Sequence, residues 1–183
     1  MKRLPHLLLM ALLSGLFCSA TLVPRLSLED MVARSELIVA GQVTRTWAAW
    51  DGEHRFIWTH SEIAVRDVVK GERIEKTIVS EPGGVVDGVR MTIVGMPTYA
   101  PGEQVMLFLE RMPNGYLRSA GVGQGKFLIS AQGRIHLTHS GADVVKIGHA
   151  RQGTALGSLE GAPAGEIRQR VLRLIQAGKG KAQ

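Results

Sequence analysis

The chain has 183 residues, 45% of them hydrophobic, and 22 Lys and Arg against 16 Asp and Glu give a net charge of +6. That excess is mild and spread along the chain, so the sequence lacks the basic patch that tracks a nucleic-acid backbone. One cysteine excludes an intrachain disulfide framework.

Residues 1–20 read as an export signal. Lys2 and Arg3 form a positive n-region, Leu7 to Phe17 an apolar stretch, and Cys18-Ser19-Ala20 the small residues that signal peptidase needs for cleavage after Ala20. The apolar stretch is too short for a bilayer span, which takes about 20 residues. No later segment is long and apolar enough, so no integral membrane segment is expected after cleavage. A lipobox wants a small residue before its cysteine, and Phe17 stands there, which argues against a lipoprotein anchored through Cys18. The expected mature chain, Thr21–Gln183, is a secreted or periplasmic protein with room for one sizeable core. The lone asparagine, Asn114, precedes Gly115-Tyr116 and is no glycosylation acceptor, which favours a bacterial export route.

Past the signal, Ser27 is a good N-cap for a short helix with Glu29 and Asp30 in its first turn. Leu28, Met31, Val32 and Ser35 would share one face of it. A first strand is expected from Leu37 to Trp47, with Gly41 marking a bulge. Asp51-Gly52 then turns the chain into a second long strand, about Arg55 to Val69. Ile57, Thr59, Ser61, Ile63 and Val65 alternate on one face, and Trp58, His60, Glu62 and Arg66 on a solvated one. A phase shift at Val68 predicts another bulge. Shorter strands are expected at Thr77–Ser80, Arg90–Val94, Glu103–Glu110, Tyr116–Ser119, Lys126–Ser130 and Arg134–Leu137, with Gly- and Pro-rich turns between them. Residues 140–162 read as a flexible linker. A C-terminal amphipathic helix is expected over 163–178, with Ile167, Val171, Leu174 and Ile175 as its apolar stripe and Gly178 ending it. Many short strands at this spacing predict a mostly β fold built as a small barrel or sandwich over 21–139.

Three stretches carry a resemblance. They are Ser35-Glu36-Leu37-Ile38-Val39-Ala40-Gly41-Gln42-Val43, Ile63-Ala64-Val65-Arg66-Asp67-Val68-Val69-Lys70-Gly71, and Pro101-Gly102-Glu103-Gln104-Val105-Met106-Leu107-Phe108-Leu109. Their order resembles the netrin-like or TIMP-like module, an OB-fold variant found also in exported bacterial proteins of no assigned activity. The resemblance implies a coiled first strand, a long second strand ending in a Lys-Gly turn, and a small OB-like antiparallel β-barrel. TIMP inhibitors hold the protease zinc through an N-terminal cysteine. No cysteine follows Cys18 here, so the fold is implied and the inhibitory mechanism is not.

The candidate sites divide by chemistry. Trp47, Trp50, Arg55 and Trp58 bracket the first hairpin, a composition suited to a partner-binding surface or to stacking on sugars. The alternative is that two of the tryptophans cap the core. His60 and Glu62 share a strand face and could form an acid–base pair or a metal half-site, the alternative being a solvated face of an antiparallel strand. His136, His139 and His149 could hold a metal, although on a strand His136 and His139 point to opposite faces. No Gly-x-Ser-x-Gly occurs, and Gly121-Val122-Gly123-Gln124-Gly125-Lys126 lacks the spacing of a phosphate loop. The expectation is an exported, non-enzymatic β-barrel module without a cofactor that binds another exported protein. An envelope polysaccharide ligand is the first alternative, and a metal-dependent or His/Glu hydrolase the second.

Overall fold

The computed structural model describes residues 25–138 and 153–180. The expected signal, its cleavage site, and residues 140–152 of the expected linker lie outside the described residues. The chain is mostly β, with a helix near each end of what is described.

Helix α1 (Leu28–Arg34) starts on a reciprocal capping box. Ser27 Oγ accepts from the Asp30 N–H at 3.1 Å, and the Asp30 carboxylate accepts from the Ser27 N–H at 3.3 Å. Strands β1 (Leu37–Trp50) and β2 (Ile57–Lys70) form one long antiparallel hairpin, so β1 runs three residues past its expected end at Trp47. Its register slips where the sequence signals bulges. Ala40 pairs with Asp67 but Gly41 with Val65, and Ile38 pairs with Lys70 but Val39 with Val68. Each extra residue bends and twists the hairpin. The bend lets β1 pair along Leu37–Gln42 with a second neighbour, β6 (Gln104–Arg111).

Strand β3 (Lys76–Pro82) lies antiparallel to β2. A small hairpin follows, β4 (Gly84–Val86) and β5 (Val89–Met91), in place of the single strand expected at Arg90–Val94. Its turn is Asp87-Gly88, with φ of 50° and 79°. Both values are positive, as a two-residue type I′ turn requires, and the Asp-Gly dipeptide is its sequence signal. Strands β7 (Leu117–Ser119), β8 (Lys126–Ile129) and β9 (Ile135–Leu137) complete the sheet. The pairings run β1-β2-β3-β7-β6 and return to β1, with β8 and β9 extending outward from β6.

Two cores lie on opposite faces of this sheet. Val39, Val43, Ile63, Val79, Val105, Leu107 and Leu109 pack inside the ring of paired strands. Ile38, Met106, Phe108 and Phe127 point the other way, against Leu28 and Met31 of α1 and against Ile167 and Val171 of helix α2 (Ala164–Lys179). Strand β6 is therefore buried on both faces, which explains its uninterrupted run Val105-Met106-Leu107-Phe108-Leu109. Helix α2 runs through Gly178 rather than ending there. Arg168, on the polar side of its expected stripe, bonds Asp67 of β2 at 2.6 Å. Residues 153–162, the described part of the expected linker, are structured. Thr154 C=O accepts from the Leu28 N–H, Thr154 N–H donates to Glu29, and a 3-10 turn (Leu156–Leu159) buries Leu159.

The ring is thinnest between β3 and β7, which share one parallel pair, Val79 with Leu117. Extending this ladder past Leu117 would require a donor from residue 82, and that residue is Pro82. The next β7 donor, the Ser119 N–H, turns instead to the Glu81 carboxylate at 2.8 Å, and Ser119 Oγ joins it at 2.6 Å. Arg118 Nε reaches the other Glu81 oxygen at 3.4 Å. Glu81 is 2% exposed, and burial raises its pKa more than these partners lower it.

Removing the carboxylate leaves Arg118 and the Ser119 donor without it. Glu81→Ala is expected to cost about 3 kcal/mol in urea unfolding at neutral pH. Glu81→Gln keeps an acceptor for Ser119 and should cost less. The folded pKa lies above the ordinary 4.5, so the parent chain gains stability as pH falls through the raised value towards 4.5. Glu81→Gln should lose that gain, which a pH series of urea melts reads directly.

Candidate functional site

The sheet register builds a groove on the outer face of β1, β2 and β3. Trp47 pairs with His60, Ala49 with Trp58, and His60 in turn with Ser80 of β3. Facing partners and every second residue share one side of a sheet, so Arg45, Trp47, Trp58, His60, Glu62, Ile78 and Ser80 all face outward. The Pro113-Asn114-Gly115 turn between β6 and β7 then brings Tyr116 across them. Asn114 Oδ1 accepts from the Tyr116 N–H at 3.1 Å, and Arg111 donates to Gly115 C=O at 2.9 Å while gripping Glu36 through two nitrogens. The resulting groove of about 680 Å³ is bounded by Lys76, Thr77 and Ile78 on one wall and by Arg111, Gly115 and Tyr116 on the other.

Its rings are Trp47, His60 and Tyr116, and Trp58 packs against Tyr116 beside them. Tyr116 meets Trp58 edge-on at 4.9 Å and His60 edge-on at 5.5 Å. Trp47 tilts against His60 at 5.4 Å, and the Arg45 guanidinium lies over the Trp47 ring at 4.5 Å. The edge-on contacts set the positive ring edge against a negative face, and the guanidinium is drawn to the Trp47 quadrupole. Glu62 is held by Thr44 at 3.0 Å and by Arg45 at 3.2 Å, and these partners lower its pKa. His60 Nδ1 lies 2.8 Å from Ser80 Oγ. Burial lowers the His60 pKa, so the ring is neutral at pH 7.

A hydroxyl bonded to a neutral imidazole is the first half of a nucleophile–base pair. Ser80 lines the groove but is only 2% exposed, and its oxygen is engaged by His60. Glu62 bonds Thr44 and Arg45 rather than the imidazole. The expected pairing of His60 with Glu62 is thus a shared face without a shared proton. What the groove offers is half-buried aromatic surface rimmed by cations.

The four residues expected to form one binding surface are divided. Trp47 and Trp58 sit on the groove side, both half-buried. Trp50 pairs with Ile57, on the opposite side of the ladder, and stacks on His54 at 6.1 Å. Arg55 stands in the turn, 73% exposed, paired with Glu53. His136 bonds Glu160 at 2.9 Å, while His139 and His149 lie outside the described residues. Among the described residues, no three His, Cys, Asp or Glu side chains gather closely enough to hold a metal ion. Tyr116, Ser80, Lys76 and Arg111 are the residues that sequence reasoning missed. The Pro-Asn-Gly turn marks where Tyr116 lies in the chain, but nothing local says that it lands on Trp58. The sequence matches no protein-family model and no curated protein.

An NMR titration of the His60 imidazole is expected to give a midpoint below 6.5. Tyr116→Ala, which uncovers the ring, should return it towards 6.5. The unfolded chain protonates His60 before the folded chain does, so its contribution to stability is present above 6.5 and lost as pH falls through the lowered value. A parent midpoint at or above 6.5 would contradict the burial.

Proposed function

We propose that the chain is an exported, non-enzymatic module that binds another exported protein through the Trp47–His60–Tyr116 groove and the Trp58 ring packed beside it. The observation that carries this reading is the set of half-buried aromatic rings rimmed by Arg45, Lys76 and Arg111. Aromatic and arginine side chains packed in this way dominate protein–protein hot spots. The scaffold we propose is an OB-like barrel of the netrin-like or TIMP-like kind. The cyclic pairing order β1-β2-β3-β7-β6-β1 supports it, as do the bulged first hairpin and the parallel contact between β3 and β7. Export rests on the signal-like residues 1–20 of the sequence. A protein partner is favoured over a sugar because the Trp47 ring is already engaged by Arg45 and His60, leaving less free aromatic surface to stack on a pyranose.

The test is affinity capture with Thr21–Gln183 from the exported fraction of the source cells, at low and high salt. A stoichiometric partner that survives high salt is expected, and Trp47→Ala with Trp58→Ala should weaken it by about 2 kcal/mol, the scale of a hot spot. The double variant must keep its β circular dichroism and cooperative melting. Loss of folding in that variant would assign both tryptophans to the core, and retention of purified cell-wall polymer with no captured protein would replace the protein partner with a polysaccharide.

A further inference from the structure

The groove wall at Lys76–Ile78 is also a sheet edge. In the β2–β3 ladder the Gly83 N–H donates to Ile57 C=O, and the Val65 N–H donates to Glu75 C=O. Backbone groups alternate sides along a strand. The odd-numbered β3 residues therefore bond to β2, and Lys76, Ile78 and Ser80 direct their N–H and C=O groups away from it. Leu117, opposite Val79, occupies the nearest of these, the Ile78 C=O and the Ser80 N–H. Beyond that point the β6–β7 turn diverges from β3, and the groove opens between them. Among the described residues, no strand pairs with the outward side of Lys76, so its N–H and C=O, together with the Ile78 N–H, face the groove.

We propose that an extended acidic peptide segment of the partner adds here as a strand on β3, a deepening that rests on the protein-binding reading above. Main-chain bonds to Lys76 and Ile78 would hold it, as in other strand-addition complexes. Its charge follows from the rim. Arg45, Lys76 and Arg111 line the groove against one carboxylate, Glu62. Arg45 pairs with Glu62 and Arg111 with Glu36, whereas Lys76 reaches no carboxylate at ion-pair distance among the described residues. Ile78, 45% exposed, supplies the apolar neighbour. Lysine on an edge strand is a known guard against self-pairing. A second copy docked here in register would set Lys76 against Lys76, so the edge selects an acidic partner over its own kind.

The probe is a set of short acetylated peptides that alternate β-branched residues with Asp or Glu. Matched peptides carry Lys in place of the acids, or N-methyl groups on the pairing backbone nitrogens. The acidic peptides are expected to bind the mature chain and to slow hydrogen exchange at the Lys76 and Ile78 amides. The Lys peptides should bind at least about tenfold more weakly, and N-methylation should abolish binding. Lys76→Glu, a surface change that leaves the fold intact, should reverse the charge preference. Strand addition is overturned if no acidic peptide binds, if N-methylated peptides bind equally, or if binding leaves the Lys76 and Ile78 amides unprotected. Should the partner captured from the exported fraction still depend on Trp47 and Trp58 after such a result, protein binding stands and only this mode of it fails. If capture also comes back empty, both fall.

Discussion

The closure of the sheet depends on the contact between β3 and β7, where two strands share a single backbone pair. Proline at 82 removes the donor that would have continued the ladder, and the Ser119 N–H finds Glu81 instead. A carboxylate thus replaces main-chain pairing where the ring would otherwise part. Burying a carboxylate is costly unless hydrogen bonds and an opposite charge meet it. Ser119 supplies two of those bonds and Arg118 the charge. Nearby, Lys126 extends the polar end of the interior by lying over the Tyr99 ring at 4.6 Å and pairing with Glu103.

The groove opens at the other end of this contact. Strand β7 begins at Leu117, opposite Val79, so the outward groups of Lys76 and the Ile78 N–H stand before the paired stretch. There the Pro113-Asn114-Gly115 turn leads into β7, Tyr116 packs edge-on to Trp58 and His60, and a recess opens beside the edge of β3. At one end of the contact a carboxylate joins the strands, and at the other the groove borders the outward side of β3. Binding surfaces often sit where regular pairing is interrupted, because unsatisfied backbone groups remain there.

Much of the scaffold was legible from local pattern. Alternation along Ile57–Val65 assigned the inward face of β2, and Gly41 and Val68 marked the slips that bend the first hairpin. Ser27 capped α1 as its chemistry requires. The β4–β5 hairpin was signalled by Asp87-Gly88, a stronger turn signal than the run Arg90–Val94 that suggested a single strand. The segment 153–162 looked like linker because it is rich in Gly, Ala and Ser. Its order comes from Glu29 and from Leu159 sinking into the helix-side core, contacts 125 positions distant in the case of Thr154 and Glu29.

Local rules decided which residues are strand, which face of each strand is apolar, and where turns and caps fall, since these follow from steric periods of two and 3.6 residues and from side-chain bonding to nearby backbone. The sequence therefore determined a mostly β chain with a short capped helix before its strands and an amphipathic helix after them. Tertiary structure alone decided that Trp47 and Trp58 share a sheet face while Trp50 does not, because a shift of one residue moves a side chain to the other face of the sheet. It also placed Glu81 inside and Tyr116 edge-on to Trp58 and His60. Both positions depend on the meeting of β3 with β7, strands 37 to 38 residues apart in the hydrogen bonds that join them, and no local preference encodes a contact of that range.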